Sequence, residues 1–160
     1  SYSVGRIGGG TSINSIAFES WMEVDMRSGA QTKLDEIDKV FQAAVQQALD
    51  QENKAKLGGD DLTVNIERVG KRPAAQGNKN AALVQRAIAA TLAMGVEPSL
   101  AIASTDANLP ISIGIPAVTM SRGGISGRAH ALDEWWQDEN AYISVQIGIL
   151  TLLAEAGLAD

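Results

Sequence analysis

Residues 16–27 read IAFESWMEVDMR, and this stretch decides how the first part of the chain is interpreted. Side chains along a β-strand point alternately to opposite faces of the sheet. Apolar residues at even positions and charged residues at odd positions therefore predict a long, half-buried strand over residues 16–27. The apolar residues at even positions are Ile16, Phe18, Met22, Val24 and Met26, and the charged residues at odd positions are Glu19, Glu23, Asp25 and Arg27.

The segments around this strand predict a β-β-α-β order for the first seventy residues. A shorter strand, Tyr2 to Ile7, precedes it across a glycine-rich loop, and the two are predicted to pair as a hairpin. Thr32 is the predicted N-cap of a helix of about five turns, whose apolar residues recur at helical spacing. After Gly58-Gly59, alternation over residues 62–67 predicts another strand.

The polar segment 70–77 is the predicted crossing between two domains, residues 1–70 and 71–160. Beyond it, short apolar runs alternate with helical patterns, which predicts a parallel α/β sheet. The last helix is apolar around most of its circumference and is predicted to be deeply packed. The predicted elements are a helix from Asn80 to Gly95, strands over 100–103 and 117–120, a short helix over 106–114 and a final helix over 140–156.

Composition narrows the classes of function. The 160 residues are 45% apolar, enough for a globular core. The formal net charge of -6 and the lack of a Lys/Arg cluster argue against nucleic acid as a partner. The longest apolar run, 147–154, is far shorter than the roughly 20 residues of a membrane span, so no membrane partner is predicted. The first residues are neither an initiator Met nor a signal peptide, and the native start is expected to lie upstream.

Cysteine and histidine content limits the chemistry. The chain has no cysteine, which excludes disulfides and thiolate zinc sites and leaves the redox compartment undetermined. His130 is the only histidine, and it lies in a glycine-rich stretch after a predicted strand. Two interpretations stay open: an ordinary surface-loop histidine, or a metal ligand whose imidazole is oriented by Asp133 or Glu134.

Three other features carry alternatives. Thr105 and Asp106 either cap the following helix or line a site at the end of a strand. Arg27 is either a cross-strand ion-pair partner or a fork that binds a substrate carboxylate. Trp135-Trp136 either packs against the final helix or lines a pocket.

Five segments, in order, resemble motifs of the M20 metallopeptidase and aminoacylase family. Together they span nearly the whole chain. Gly9 to Ile16 is similar to the family's Gly-Gly-Thr-x-x-Asn-x-Ile-Pro turn, Glu23 to Ser28 to its Asp-x-Arg strand, Thr105 to Ala107 to its Gly-Thr-Asp-Ala turn, Gly114 to Pro116 to its Gly-x-Pro, and His130 to Glu134 to its His-x-x-x-Glu.

The resemblance implies a fold, ligands and partners. It implies the second half of a ferredoxin-like lid, through which a homodimer forms, followed by the C-terminal part of a zinc-peptidase-like α/β catalytic domain. The implied substrate is a small peptide or an N-acyl amino acid. The implied metal ligand is His130, for one of two zinc ions with cobalt or manganese as alternatives, and the implied substrate-binding residues are Asn14, Arg27, Thr105, Asp106, Gly123 and Gly124.

Several catalytic motifs of that family have no counterpart in this sequence. Nothing matches its His-x-Asp, bridging Asp or Glu-Glu, or the first strand and helix of the lid. A dinuclear site needs several ligands and a general base that deprotonates the bridging water. The full-length protein is therefore expected to hydrolyse an amide with metal-activated water, while this chain alone is expected to be inactive. The alternative is a noncatalytic dimerisation or binding module of the same fold.

Overall fold

A computed structural model describes residues 1–158. These residues divide into two compact units, with the boundary between Ala74 and Ala75. Within the described residues the chain is mixed α/β, with two small antiparallel sheets and four helices. The division falls inside the predicted crossing at 70–77. The elements in chain order are β1 (Tyr2–Gly9), β2 (Ser20–Met26), α1 (Gln31–Ala55), α2 (Ala82–Ala93), α3 (Asn108–Ser112), β3 (Ile125–Gly127), β4 (Trp135–Gln137) and α4 (Tyr142–Ala156).

The first sheet is the predicted hairpin, β1 paired with β2. Val4 lies opposite Val24 and Ile7 opposite Met22, with a shift of register between Val4 and Arg6. A bulge adds one residue to a strand, so Ile7 returns to the face that holds Val4. Val4 and Ile7 of β1 therefore share one face with Met22 and Val24 of β2. Helix α1 contacts β2, whose apolar Val24 is half-buried.

The predicted strand over 16–27 is too long at its start. It begins at Ser20, because its partner β1 ends at Gly9, directly opposite. Before that point the chain is a loop, and Ile16 and Phe18 are 98% and 76% exposed. The alternation of apolar and polar residues extends over 16–19, but these residues have no neighbouring strand to pair with, so no strand forms there.

Helix α1 is longer than predicted and begins earlier. It has 25 residues, and Ala30 rather than Thr32 precedes its first turn. The Ala30 N–H donates to the Ser28 hydroxyl at 3.2 Å. Residues with good helix propensity, such as Glu52 and Lys54, continue the helix beyond the last apolar position used for the prediction. The predicted N-cap was wrong.

The third strand, predicted over 62–67, is not formed, but the segment lies extended along α1. The Asn53 side chain bonds both backbone groups of Leu62, at 2.7 and 3.0 Å, and Arg68 pairs with Asp38 at 2.7 Å. From Asn53 back to Asp38 the helix spans about 22 Å, and Leu62 to Arg68 spans about 20 Å when extended. Within residues 1–158 this segment has no strand beside it, so the ladder that defines a strand is missing.

The second unit has its core between α2 and α4. Thr151 is the buried polar member, and its hydroxyl donates to the Ile147 carbonyl at 2.8 Å. Gly95 has φ +72°, a left-handed conformation that suits the predicted helix stop. The buried side chains, each 5–8% exposed, are Val84, Ala87, Ala90, Ile147 and Thr151.

The expected deep burial of the final helix was wrong. Helix α4 buries only the stripe of Ile147 and Thr151 against α2. On its other side Val145, Ile149 and Leu152 are 63%, 53% and 66% exposed. Its apolar circumference thus exceeds the surface that the described residues offer to cover it.

The parallel sheet predicted for the second unit is also absent from the part of the chain that the structure describes. Residues 100–103 and 117–120 form no strands, and Leu100 and Ile102 are 58% and 79% exposed. The Thr119 hydroxyl donates to the Thr105 hydroxyl at 2.8 Å, so these two segments lie beside each other at one point. Parallel sheets occur where both faces are covered by other elements, and the described residues leave Leu100 and Ile102 uncovered.

The accessible surface is large for the mass. It is 12617 Å² for 16.8 kDa. A compact monomer of that mass exposes about 7,700 Å², and two separate compact units of half the mass expose about 9,200 Å² together. Many large apolar side chains of the described residues are exposed, among them Ile16, Ile102 and Leu152.

Candidate functional site

His130 lies in the loop of a short hairpin. Strands β3 and β4 pair with Ile125 opposite Gln137 and Gly127 opposite Trp135, and the loop joins them. Arg128 and His130 both adopt left-handed backbone conformations, with φ of +57° and +65°. Such conformations are unusual for residues with a Cβ and need support from their surroundings.

Two carboxylates supply that support. The Glu134 carboxylate accepts the backbone N–H of His130 at 3.0 Å, and Asp133 pairs with Arg128 at 2.6 Å. The sequence had suggested that one of these acids orients the imidazole. In the structure both instead hold the loop backbone and its side chains, and His130 is exposed to solvent.

His130 has the chemistry of a metal ligand but does not make a metal site by itself. Among residues 1–158 no three His, Asp or Glu side chains are grouped so that they could hold a metal ion. A zinc site takes at least three protein ligands. The residues present thus fit the role of a single donor and no more.

Gly123 and Gly124 lie next to the same hairpin, with φ of +77° and +69°. The indole N–H of Trp136 donates to the Gly123 carbonyl at 2.9 Å. A Cβ on Gly124 would lie 2.7 Å from that indole nitrogen and would overlap the Gln137 carbonyl oxygen. Both glycines are required by close packing as well as by their backbone conformation.

The tandem tryptophans pack against glycines of the facing strand region. Trp135 lies over Gly127 and Trp136 over Gly124, where an added Cβ would lie 2.7 Å from either indole nitrogen. Each indole is still 45% or 44% exposed. Part of each ring therefore packs on glycines of the hairpin, and the exposed parts are accessible to a ligand. Packing of the two rings against the final helix stays a prediction.

Thr105 and Asp106 lie in the turn that leads into helix α3. Asn108 and Thr105 bond twice, Thr105 N–H to the Asn108 side chain at 2.9 Å and Asn108 N–H to the Thr105 carbonyl at 3.1 Å. Helix α3 has Ala107 at its N-cap, without a side-chain cap bond. The N-cap position is therefore Ala107, one residue after Asp106, while the Thr105 and Asp106 carbonyls accept the first two N–H groups of the helix.

In the first unit, Arg27 pairs along its own strand. Its Nε donates to Asp25 at 2.5 Å, while the cross-strand ion pair is Arg6 with Glu23 at 2.9 Å. The backbone of Arg27 exchanges two hydrogen bonds with Ser1, both 2.9 Å. The hydrogen bonds of the Arg27 backbone and side chain together fix the position and orientation of its guanidinium.

Asn14 lies in the loop between β1 and β2. Its side-chain oxygen accepts the Ser12 hydroxyl at 3.0 Å, and the residue is exposed. Asn14 and Arg27 thus belong to the first unit, while Thr105, Asp106, Gly123, Gly124 and His130 belong to the second.

Sequence reasoning gave no role to Arg122. Its guanidinium lies 5.6 Å from the centre of the Trp136 ring. The only sequence signal was its position directly before the two glycines, because residues 122 and 136 have no periodic relation.

Compared with models of known protein families and with curated proteins, the chain gave no match. None of the helices within residues 1–158 is long and apolar enough to cross a bilayer. Any functional statement therefore depends on the motifs and on the geometry around His130 and Arg27.

Proposed function

We propose that this chain is part of a metal-dependent amidohydrolase of the M20 type, acting on a small peptide or an N-acyl amino acid. In this proposal the first unit is half of a ferredoxin-like lid, and the second is the closing part of a zinc-peptidase-like catalytic domain. The observation that carries it is His130, exposed on a hairpin loop and held in a left-handed conformation by Glu134, its partner in the His-x-x-x-Glu motif.

The strain at His130 supports a functional role. A left-handed residue with a Cβ costs roughly 1 kcal/mol or more, and such residues occur preferentially at ligand sites. Residues Arg128 and His130 bear this cost in a loop whose exposed imidazole makes no core contact.

Arg27 supports the substrate role in the same way. Because Asp25 accepts the Nε–H, this hydrogen bond orients the guanidinium and does not use the edge formed by its two terminal NH₂ groups. A guanidinium edge binds a carboxylate through two parallel hydrogen bonds. The free carboxylate of an N-acyl amino acid is a ligand of that shape.

The uncovered surface supports a role as part of a larger assembly. Residues 62–67 lie extended without a partner strand, and α4 exposes an apolar face. Sheet strands and apolar helix faces are stable when they are paired and covered. We infer that the remaining lid strand, the catalytic sheet or a second subunit covers them.

In the proposed mechanism each side chain has a limited task. In the first unit, Arg27 and Asn14 would bind the substrate. In the second unit, Thr105, Asp106, Gly123 and Gly124 would border a pocket, and His130 would supply one imidazole nitrogen to a metal. Bound metal ions would supply Lewis-acid activation of water. The general base that takes a proton from this water is not among the residues proposed here, so this chain alone is expected to be inactive.

Zinc binding tests the proposal directly. Calorimetric titration of the chain with zinc is expected to show only weak binding, abolished in His130→Asn, because one imidazole is a poor site. The coding sequence upstream is expected to contain His-x-Asp and Glu-Glu at catalytic spacing. Tight binding of two zinc ions to this chain, or an upstream sequence without those motifs, would contradict the proposal.

A second candidate function is a noncatalytic dimerisation module, favoured by the same uncovered apolar surface. Both candidates expect self-association, so sedimentation velocity at rising concentration is expected to show a dimer. A stable monomer at high concentration would argue against the exposed faces being interfaces. The upstream motifs then distinguish the two candidates, because only the enzyme requires them.

A further inference from the structure

Arg122 and Trp136 form a small cluster, the Arg122–Trp136 pair, at the base of the hairpin. The guanidinium lies 5.6 Å from the ring centre, close enough for a cation–π contact. The ring is held in place because its N–H donates to the Gly123 carbonyl at 2.9 Å. A fixed ring under a cation restricts where the cation can move.

Arg122 differs from the other stacked arginine of the chain. Arg6 lies 5.2 Å from the centre of the Trp21 ring, and Glu23 pairs with it at 2.9 Å. Within residues 1–158 no carboxylate forms an ion pair with Arg122, although the chain has 19 acidic residues. Both arginines stack on a tryptophan, but the charge of Arg6 is balanced by Glu23 and that of Arg122 is not balanced by an ion pair within residues 1–158.

Stacking leaves the hydrogen-bonding capacity of Arg122 available. A guanidinium over a ring uses its flat face, whereas its five N–H groups lie in the plane and point outward. Those groups match the two oxygens of a carboxylate. A positive, preoriented fork at an exposed position is a binding group for a small anion.

We propose that the Arg122–Trp136 pair is a carboxylate-binding site for a small organic acid. The site shares Gly124 with the substrate pocket proposed above, but it uses neither His130 nor Arg27, so its test requires neither metal binding nor amide hydrolysis. Gly124 is part of it, because a Cβ there would displace the indole that supports the guanidinium. In the Arg6–Trp21 pair, Glu23 already accepts an N–H of Arg6 and balances its charge.

The experiment observes the three indole N–H resonances of the ¹⁵N-labelled chain by NMR. Sodium N-acetylglycinate is titrated at constant ionic strength against sodium chloride. The Trp136 indole resonance is expected to shift and saturate, because the bound carboxylate changes the charge above the ring. The Trp21 resonance is expected to stay in place, because Glu23 already occupies Arg6.

Variants make the test specific. Arg122→Gln is expected to weaken binding about tenfold or more, the loss of a charge-assisted hydrogen-bonded pair. Arg122→Lys is expected to retain part of the affinity, since it keeps the charge and loses the fork. Glu23→Gln is expected to make the Trp21 resonance respond as well. The fold of each variant is checked by its remaining amide spectrum.

Three results would overturn the site. These are an unmoved Trp136 resonance in the wild-type chain, an undiminished shift in Arg122→Gln, and an equal shift with chloride alone. His130→Asn is expected to leave the response unchanged. Failure of the zinc experiments and failure of this one are therefore separate outcomes.

Discussion

Replacing Ile147 with alanine is expected to destabilise the α2–α4 pair by about 2–5 kcal/mol, the cost of deleting a buried branched side chain. Ile147 is 6% exposed and belongs to a core of five buried side chains. With so few contributors, the loss of one large aliphatic group removes much of the burial that joins the two helices. Chemical denaturation followed by circular dichroism, with hydrogen exchange at α2 and α4 amides, measures the effect.

Leu152 provides the matched control on the same helix. It is also a branched aliphatic residue, but it is 66% exposed. Leu152→Ala is expected to change stability by no more than about 0.5 kcal/mol in the monomer. If both variants lose stability equally, α4 does not pack on α2 through the Ile147 face.

Local patterns in the sequence predicted the elements that depend on local interactions. The parity of Met22, Val24 and Met26 predicted β2 and its apolar face, and the spacing of apolar residues predicted α1, α2 and α4. Gly95 predicted the end of α2, since a left-handed glycine stops a helix wherever it occurs. These features need no knowledge of distant partners.

The predictions that were wrong concern elements that need another segment of the chain to pair with or pack against. Alternation over 62–67 reports which side chains prefer burial, but a strand forms only where another backbone lies beside it. In the structure this segment is held by Asn53 and Arg68 along α1 instead. The runs at 100–103 and 117–120 failed for the same reason, and the burial predicted for α4 required a layer that residues 1–158 do not supply.

The β3–β4 hairpin was missed because its strands have three residues each, too few for a pattern. Its loop was nevertheless selected as the candidate site, on the glycines before it and on His130. The sequence could not predict which group each acidic residue binds. In the structure Glu134 accepts the backbone N–H of His130, and Asp133 pairs with Arg128. It also could not bring Arg122 onto Trp136, since their contact depends on the hairpin.

Replacing Gly124 with alanine is expected to open this hairpin and remove the indole from its place. An alanine at φ +69° costs roughly 1–2 kcal/mol for its backbone alone. Its Cβ would also overlap the Gln137 carbonyl, which belongs to β4 and cannot move without disturbing the pairing of Ile125 with Gln137. Loss of amide protection at β3 and β4 and a shift of the Trp136 indole resonance measure the opening.

Gly148 gives the control, because it lies inside α4 with nothing within 4 Å of an added Cβ. Gly148→Ala is expected to leave the hairpin unchanged and to stabilise the helix by up to about 1 kcal/mol. The two alanine variants thus have opposite signs for one chemical change, set by backbone conformation and by space. If Gly124→Ala keeps wild-type protection and the wild-type Trp136 resonance, the indole does not need a glycine beneath it. The fixed position of the Arg122 guanidinium would then lack its structural basis.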